Sequence, residues 1–381
     1  MYNASYVRNR RATRRTSSHT REAFPAHATL AEAGEPMLGS DVGAWQVLEG
    51  SSVAELLAQN SDPLRALSTG EIPAIILRGA LDASVAAAVS QRLLMNDQQS
   101  LGLFERPGDR KKMARGLLNF GGFGVMLSRT ISAKPSKITE DAARYRRLFE
   151  QHQLMQPVDT LRRNLEAIAA GRRVGVGLDQ TTNASLSVGG AYRMHFNNVS
   201  FPVHFDSLHS REILTNSCNR KKNRFYWASV SRGRQAENFP DLYRFPQQFA
   251  ALITLQRAER AGAEVSVMNL HARDVAKACN VPLFLTQHNV VLEACEATNF
   301  FKHEFNAHWH NKYRFDVSDM RRWRNQLRMD ALARPLHLLP GDMYIFDANR
   351  VHTVHRVWGK LKRLSLGAFV GFSPDEVRIW S

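Results

Sequence analysis

The second half of the chain contains short runs in which residues alternate between two faces, and this pattern limits the fold more than any other feature. Alternation with a period of two residues is typical of β-strands that are buried on one side. The runs are short and separated by turn residues, so from about residue 184 onward they predict a mainly β core with flanking helices. The clearest are AYRMHFN (191–197), FAALITLQ (249–256), AEVSVMNL (263–270), MYIFDAN (343–349) and RLSLGAFVGF (363–372).

Composition divides the 381 residues into three parts. Residues 1–45 are predicted to form a basic leader without regular structure, residues 46–185 a supporting region of helices and strands, and residues 186–381 the core, with an insert of helical character at 271–335. Residues 1–21 contain six arginines and no acid. Such a segment is typical of an organellar transit peptide, and equally of a disordered basic arm without a targeting role. The predicted location is therefore the cytoplasm, or an organelle if the leader is a transit peptide.

The supporting region has two recognisable patterns. The apolar run IPAIIL (72–77) predicts a strand, and Asp82 follows as a suitable N-cap for a helix. Residues 139–171 predict two helical pieces broken near Pro157.

Charge and cysteine content exclude several classes of protein. The three cysteines form no C-x-x-C pair, which argues against a disulfide scaffold and a zinc ribbon. No apolar run approaches the roughly 18 residues of a membrane-spanning helix. The net charge of +16 includes basic clusters at 219–224 and 321–328, but few aromatic residues accompany them. Nucleic-acid binding is therefore the less favoured interpretation.

The segment FPVHFDSLHS (201–210) places His204 two residues before Asp206. On a strand, residues i and i+2 project to the same side, so both side chains can reach one metal ion. One histidine and one carboxylate are two-thirds of the 2-His-1-carboxylate group that binds non-haem Fe(II). H-x-D alone is too short to establish this site, so a second histidine is expected on a later strand.

The C-terminal segment 338–372 supplies that histidine and a carboxylate-binding pair. A turn at Pro340-Gly341-Asp342 precedes an apolar strand, and a strand with histidines follows. Further on, Arg363 and Ser365 share one face of a strand. A guanidinium and a hydroxyl on one face are well suited to bind a carboxylate.

This ordered set resembles the Fe(II)/2-oxoglutarate-dependent dioxygenase superfamily. The segment HTVHRVWGKLKRLSLGAF (352–369) is similar to the H-x-V-x-x-V-x-x-G-x-R-x-S-L pattern of its phytanoyl-hydroxylase-like and prolyl-hydroxylase-like members. The resemblance covers about residues 186–381 and implies a double-stranded β-helix, or jelly roll. It also implies Fe(II), 2-oxoglutarate as cosubstrate, and dioxygen. By the same resemblance, His204, Asp206 and His352 are the iron ligands, and Arg363 and Ser365 bind the distal carboxylate of 2-oxoglutarate.

Several assignments stay open at the level of sequence. His355 competes with His352 as the distal ligand, and alignment with the pattern favours His352, although one extra residue precedes Arg363. The hydroxyls of Tyr192 and Thr254 are candidates for cosubstrate binding. His195 and Asn197 either line the pocket or are polar residues without a functional role.

The resemblance predicts oxidation of an unactivated C–H bond in a small, anionic metabolite, such as an amino acid or a natural-product intermediate. Hydroxylation, desaturation and oxidative cyclisation all fit these residues. Halogenation is not expected, because related halogenases have no carboxylate at the position that Asp206 occupies here. The alternatives are a nucleic-acid or protein hydroxylase or demethylase of the same superfamily, and a jelly-roll binding protein without catalytic activity. The sequence gives no indication of the oligomeric state.

Overall fold

The computed structural model describes residues 45–95, 117–120, 135–178, 182–196, 201–205, 245, 247–258, 265–271, 284–286, 289–291, 333–354, 357 and 359–381. The helices are α1 Val53–Gln59, α2 Pro63–Thr69, α3 Ala83–Met95, α4 Pro135–Gln151 and α5 Met155–Ile168. The first eight strands are β1 Leu48–Gly50, β2 Ala74–Leu77, β3 Leu117–Phe120, β4 Arg173–Val176, β5 Ala191–His195, β6 Phe201–Phe205, β7 Phe249–Gln256 and β8 Val265–His271. The remaining strands are β9 Phe284–Thr286, β10 Asn289–Val291, β11 Ala333–Leu336, β12 Met343–Asp347, β13 Arg350–Val354, β14 Arg363–Phe372 and β15 Glu376–Trp380.

The strands form two sheets. In the nine-stranded sheet the order is β1-β2-β12-β7-β14-β15-β4, and β5 pairs with the first half of β14 and with β3. In the six-stranded sheet the order is β11-β8-β13-β6-β10-β9. Strands that follow one another in the chain repeatedly lie in different sheets: β5, β7, β12 and β14 belong to the first, and β6, β8 and β13 to the second. This confirms a mainly β chain with flanking helices.

Side-chain alternation explains why the larger sheet has two apolar faces. In β12, Met343 and Ile345 pack in a cluster with residues of the helices, while Tyr344 and Phe346 lie in a second cluster. This second cluster contains residues of both sheets, among them Val267 of the smaller one. One face of the larger sheet is therefore covered by helices, and the other faces the smaller sheet.

The supporting region follows the sequence pattern with one correction. The apolar run at 72–77 contains β2, and α3 begins directly after Asp82, whose carboxylate accepts a hydrogen bond from the Ser84 backbone N–H at 2.7 Å. The break between the two later helices lies at residues 152–154 rather than at Pro157. Pro157 is in the first turn of α5, where proline is tolerated because the N–H groups of that turn have no partner within the helix.

The predicted turn at Pro340-Gly341-Asp342 is present and joins the core to the supporting region. The Asp342 carboxylate, 2% exposed, accepts hydrogen bonds from Arg78 Nη1 at 2.5 Å, the Gly79 N–H at 3.0 Å and the Leu339 N–H at 2.7 Å. The N–H of Leu81 donates to the Gly341 carbonyl at 2.9 Å. These contacts fix the start of β12 against the end of β2.

Replacement of Gly341 by alanine is expected to destabilise the chain by about 2–4 kcal/mol. Gly341 has φ of +94°, and an added Cβ would lie 2.2 Å from the Leu81 carbonyl oxygen. Gly171→Ala is the matched control, because its φ is +82° but a Cβ there meets no atom within 4 Å. Urea unfolding of both variants measures the difference, and equal losses of stability would contradict a clash at Gly341.

Parts of three predictions lie outside the described residues. These are the leader at 1–44, most of the insert at 271–335, and the basic clusters at 219–224 and 321–328. Two described pieces of the insert are strands, β9 and β10, rather than helices, and β10 pairs with β6. None of the described helices has the length and apolar character needed to cross a membrane.

Candidate active site

The strand register brings Arg363, Ser365 and Thr254 together on the face that looks toward the smaller sheet. Ser365 pairs directly with Thr254 of β7, and Arg363 pairs with His195 of β5. The alternate residue Leu364 lies in the helix-side cluster, so Arg363 and Ser365 project to the opposite face. The two residues that the R-x-S motif predicted to act together thus share one interior surface.

Arg363 is a buried cation whose nearest polar partners are neutral. It is 4% exposed, and its guanidinium donates to the Tyr344 hydroxyl at 2.9 Å and, over 3.4 Å, to Ser365 Oγ and to Nδ1 of His195. Within the described residues no carboxylate lies within 4.0 Å of it. A buried charge without a counter-ion is costly, usually by several kcal/mol, so this position favours an anion.

Hydroxyl groups around Arg363 strengthen that preference. Tyr344 and Ser365 accept hydrogen bonds from the guanidinium, so each keeps its own proton to donate. Thr254 Oγ1 is buried and has no hydrogen-bond partner in the described part of the chain. These hydroxyl donors lack hydrogen-bond acceptors, so a ligand that only accepts hydrogen bonds fits between them. A carboxylate is such a ligand.

A backbone clamp fixes the position of Thr254. Its N–H donates to the Asp342 carbonyl at 2.9 Å, and its carbonyl accepts from the Gly341 N–H at 2.7 Å. The Pro340-Gly341-Asp342 turn therefore holds Thr254 beside Ser365. The side chain of Thr254 consequently projects to the interior from a fixed backbone position.

His195 and Tyr344 are both uncharged at neutral pH. Burial lowers the pKa of His195 well below its ordinary value, and the positive charges of Arg363 and Arg193 lower it further. Burial raises the pKa of Tyr344, although the nearby Arg363 opposes that change. The groups around the guanidinium therefore add no negative charge that would replace a bound anion.

Tyr192 does not lie with this group. Its side chain is in the helix-side cluster, its ring meets Phe149 edge-on at 5.2 Å, and its hydroxyl donates to the Leu154 carbonyl at 2.5 Å. Tyr192 pairs with Leu366, one position out of phase with Ser365, and so projects to the opposite face of the sheet. We therefore remove Tyr192 from the candidate cosubstrate residues.

Tyr344 and Arg193 are the residues that the sequence interpretation missed. Alternation within MYIFDAN places Tyr344 and Phe346 on one face, but only the pairing of β12 with β7 and of β7 with β14 brings Tyr344 to Arg363. Arg193 pairs with Ser365, and its charge lowers the pKa values of both His195 and His352. A second cation therefore influences the same interior.

His352 lies in the smaller sheet and is buried, with 4% exposure. Its Nδ1 is 2.8 Å from the Arg350 carbonyl oxygen. Because a carbonyl can only accept, the neutral ring carries its proton on Nδ1 and its lone pair on Nε2. Histidines that bind metals are commonly held in this way, with the second ring nitrogen donating to a backbone carbonyl.

The pKa of His352 is lowered to about 4, chiefly by burial. The hydrogen bond to Arg350 raises it and the charge of Arg193 lowers it further. The ring is therefore neutral at pH 7, which is the state that binds a metal.

The backbone register places the two predicted histidine ligands directly opposite each other. His352 of β13 pairs with His204 of β6 across the antiparallel ladder. Aromatic contacts connect this position with Arg363: Phe346 meets the His352 ring edge-on at 4.8 Å and stacks on Tyr344 at 6.2 Å.

Asp206, Asn197 and His355 lie outside the described residues, and within those residues no three metal-binding side chains gather. The proposed Fe(II) ligands therefore stay a prediction.

Comparisons with known proteins give weak similarities. No protein-family model matches the chain, and no curated protein matches it. Among solved structures, an N-substituted L-amino acid dioxygenase in complex with alpha-KG from Burkholderia ambifaria AMMD is similar with a TM-score of 0.40 and 14% identity, over 84% of this chain and 91% of that one. HygX from Streptomyces hygroscopicus with nickel and 2-oxoglutarate bound is similar with a TM-score of 0.35 and 11% identity, over 83% of this chain and 87% of that one.

Proposed function

We propose that this chain is an Fe(II)- and 2-oxoglutarate-dependent dioxygenase that oxidises a C–H bond of a small molecule. The observation that carries the proposal is the buried guanidinium of Arg363, which is surrounded by hydroxyl donors and has no carboxylate partner in the described part of the chain. This arrangement fits the distal carboxylate of 2-oxoglutarate. The directly paired positions of His204 and His352 fit the metal that the same cosubstrate requires.

The strand order supports a jelly roll as the fold that carries this site. Eight strands, β5 to β8 and β11 to β14, can be numbered one to eight along the chain. Their order is then 1-8-3-6 in the larger sheet and 2-7-4-5 in the smaller one. Two facing sheets built from such Greek-key connections are the jelly-roll architecture. In it, strands two and seven carry His204 and His352, and strand eight begins with Arg363.

Each residue has a separate role in the proposed reaction. Arg363, with Ser365, Thr254 and Tyr344, holds and orients one end of the cosubstrate. His204, Asp206 and the neutral His352 ring would hold the metal, His352 through Nε2 because its Nδ1 is held by the Arg350 carbonyl. When bound, Fe(II) supplies the site at which 2-oxoglutarate and dioxygen react to oxidise the substrate. Helices and apolar residues cover the outer face of the larger sheet, so these side chains lie on its inner face.

The proposal is tested by incubating the purified chain with 2-oxoglutarate and measuring the succinate that forms. Succinate is expected when Fe(II) and dioxygen are both present, and a pool of small metabolites is expected to contain a compound that increases its rate of formation. Omission of iron or dioxygen should stop the reaction. Succinate formation that continues without iron would contradict the proposal.

Replacement of Thr254 by valine is expected to weaken 2-oxoglutarate binding about 5- to 10-fold, the effect of one lost hydrogen bond. The same change should not lower the stability of the ligand-free chain, because Thr254 Oγ1 has no described partner there. Calorimetric titration and thermal unfolding measure the two quantities. Unchanged affinity, or a clear loss of stability without ligand, would show that the hydroxyl serves the fold and not the ligand.

A further inference from the structure

Gln248, directly before β7, has a buried side-chain amide that makes no hydrogen bond. The residue is 1% exposed, and within the described part of the chain neither its Nε2 nor its Oε1 has a partner. Buried amides that lack partners destabilise a fold, and they are accordingly rare in native structures. A buried amide whose nitrogen and oxygen both lack partners is expected where a bound ligand completes its hydrogen bonds.

The neighbours of Gln248 show which way its side chain points. Gln247 donates from its amide to the Ser68 carbonyl of α2 at 3.0 Å, on the helix-covered face. Phe249 lies in the helix-side cluster. Because side chains alternate along extended backbone, Gln248 projects to the other face, toward the smaller sheet, as Ala250 and Thr254 do.

Hydrogen bonds to its carbonyl hold Gln248 at the hairpin that leads to the predicted metal ligand His352. Its carbonyl accepts from the Ala348 N–H at 2.9 Å and from Asn349 Nδ2 at 3.1 Å, in the hairpin between β12 and β13. That hairpin leads directly to His352. Thr254 lies six residues further along the same face, about 20 Å at the rise of a strand. Gln248 is therefore at the His352 end of the interior, and Thr254 at the Arg363 end.

We infer that Gln248 binds the primary substrate of the proposed reaction through its side-chain amide, and this inference rests on the proposed function. The amide is uncharged and offers one acceptor and two donors. It therefore selects a substrate group that is itself uncharged and both donates and accepts hydrogen bonds, such as a carboxamide or a peptide-like amide. A location at the hairpin between β12 and β13, about 20 Å along the strand from Thr254, separates this group from the cosubstrate carboxylate.

The test uses N-methylacetamide as the probe and saturation-transfer NMR as the measurement, with acetate as the charged comparison. The variant is Gln248→Met, which keeps the length of the side chain and removes the amide. Gln247→Met is the matched control, since it removes the same group from the opposite face. The N-methylacetamide signal is expected with the wild type and Gln247→Met and should fall at least fivefold in Gln248→Met. The acetate signal should not depend on residue 248.

Thermal unfolding supplies a second readout. Gln248→Met should raise the Tm of the ligand-free chain by about 2 °C or more, since it removes a buried group without partners. Equal N-methylacetamide signals in the wild type and Gln248→Met, or no signal with the wild type, would overturn the inference. Titration of 2-oxoglutarate separates the two claims. If the chain gives the N-methylacetamide signal but does not bind 2-oxoglutarate, the proposed function alone is contradicted. If it binds 2-oxoglutarate but the N-methylacetamide signal does not depend on Gln248, the role of Gln248 alone is contradicted.

Discussion

Replacement of Arg363 by methionine is expected to raise the Kd for 2-oxoglutarate about 100-fold. The guanidinium is the only cation found in direct contact with Tyr344 and Ser365 in the described structure. Its paired hydrogen bonds to a carboxylate contribute about 3 kcal/mol, which corresponds to that change in affinity. Isothermal titration with 2-oxoglutarate measures the effect.

Stability without ligand separates the role of Arg363 in binding from a role in the fold. Methionine removes a buried charge that lacks a counter-ion, so the ligand-free variant should be at least as stable as the wild type. Arg162→Met is a suitable control, because Arg162 is half exposed and forms a surface ion pair with Glu166 at 3.4 Å. An Arg363→Met variant that binds 2-oxoglutarate normally would refute the carboxylate site.

Replacement of His352 by alanine is expected to lower the affinity for Fe(II) at least about 100-fold and to stop succinate formation. The loss of a residue that only supports a metal ligand already costs 10- to 100-fold, and the loss of the ligand itself should cost more. His352 is suited to the role because its ring is neutral and its Nδ1 is held by the Arg350 carbonyl at 2.8 Å. Anaerobic titration with Fe(II) measures the affinity.

Two histidine variants serve as controls for this prediction. His337→Ala changes an exposed residue and should bind iron normally. His355→Ala decides between the two histidines that the sequence left open. If His355→Ala loses iron binding while His352→Ala keeps it, the distal ligand is His355 and the assignment to His352 is wrong.

The sequence predicted the strands that carry the site but only part of the site, and the reason is the difference between local and long-range information. Alternation along one strand is a local property, so it revealed that Arg363 and Ser365 share a face. It could not show which residues of other strands lie beside them. Tyr344 is 19 residues from Arg363 in the chain, and only the order β12-β7-β14 brings its hydroxyl to the guanidinium.

Tyr192 shows the same limit, because it was proposed for the site from sequence and the strand pairing excludes it. Its hydroxyl was a candidate for cosubstrate binding on the expectation that it projects inward. The pairing register of β5 with β14 decides which face of the sheet Tyr192 occupies, and it could not be read from either strand alone. The observed pairing of Tyr192 with Leu366 turns the ring toward the helices. One residue of register decides between the two faces of a sheet.

A crystal structure of the chain with Mn(II) and 2-oxoglutarate would show directly where the metal and the cosubstrate bind. We expect a metal bound by His204, Asp206 and His352. We also expect a carboxylate of 2-oxoglutarate within hydrogen-bonding distance of the Arg363 guanidinium and of the Thr254 and Tyr344 hydroxyls. A metal bound elsewhere, or 2-oxoglutarate bound without contact to Arg363, would contradict the proposed site.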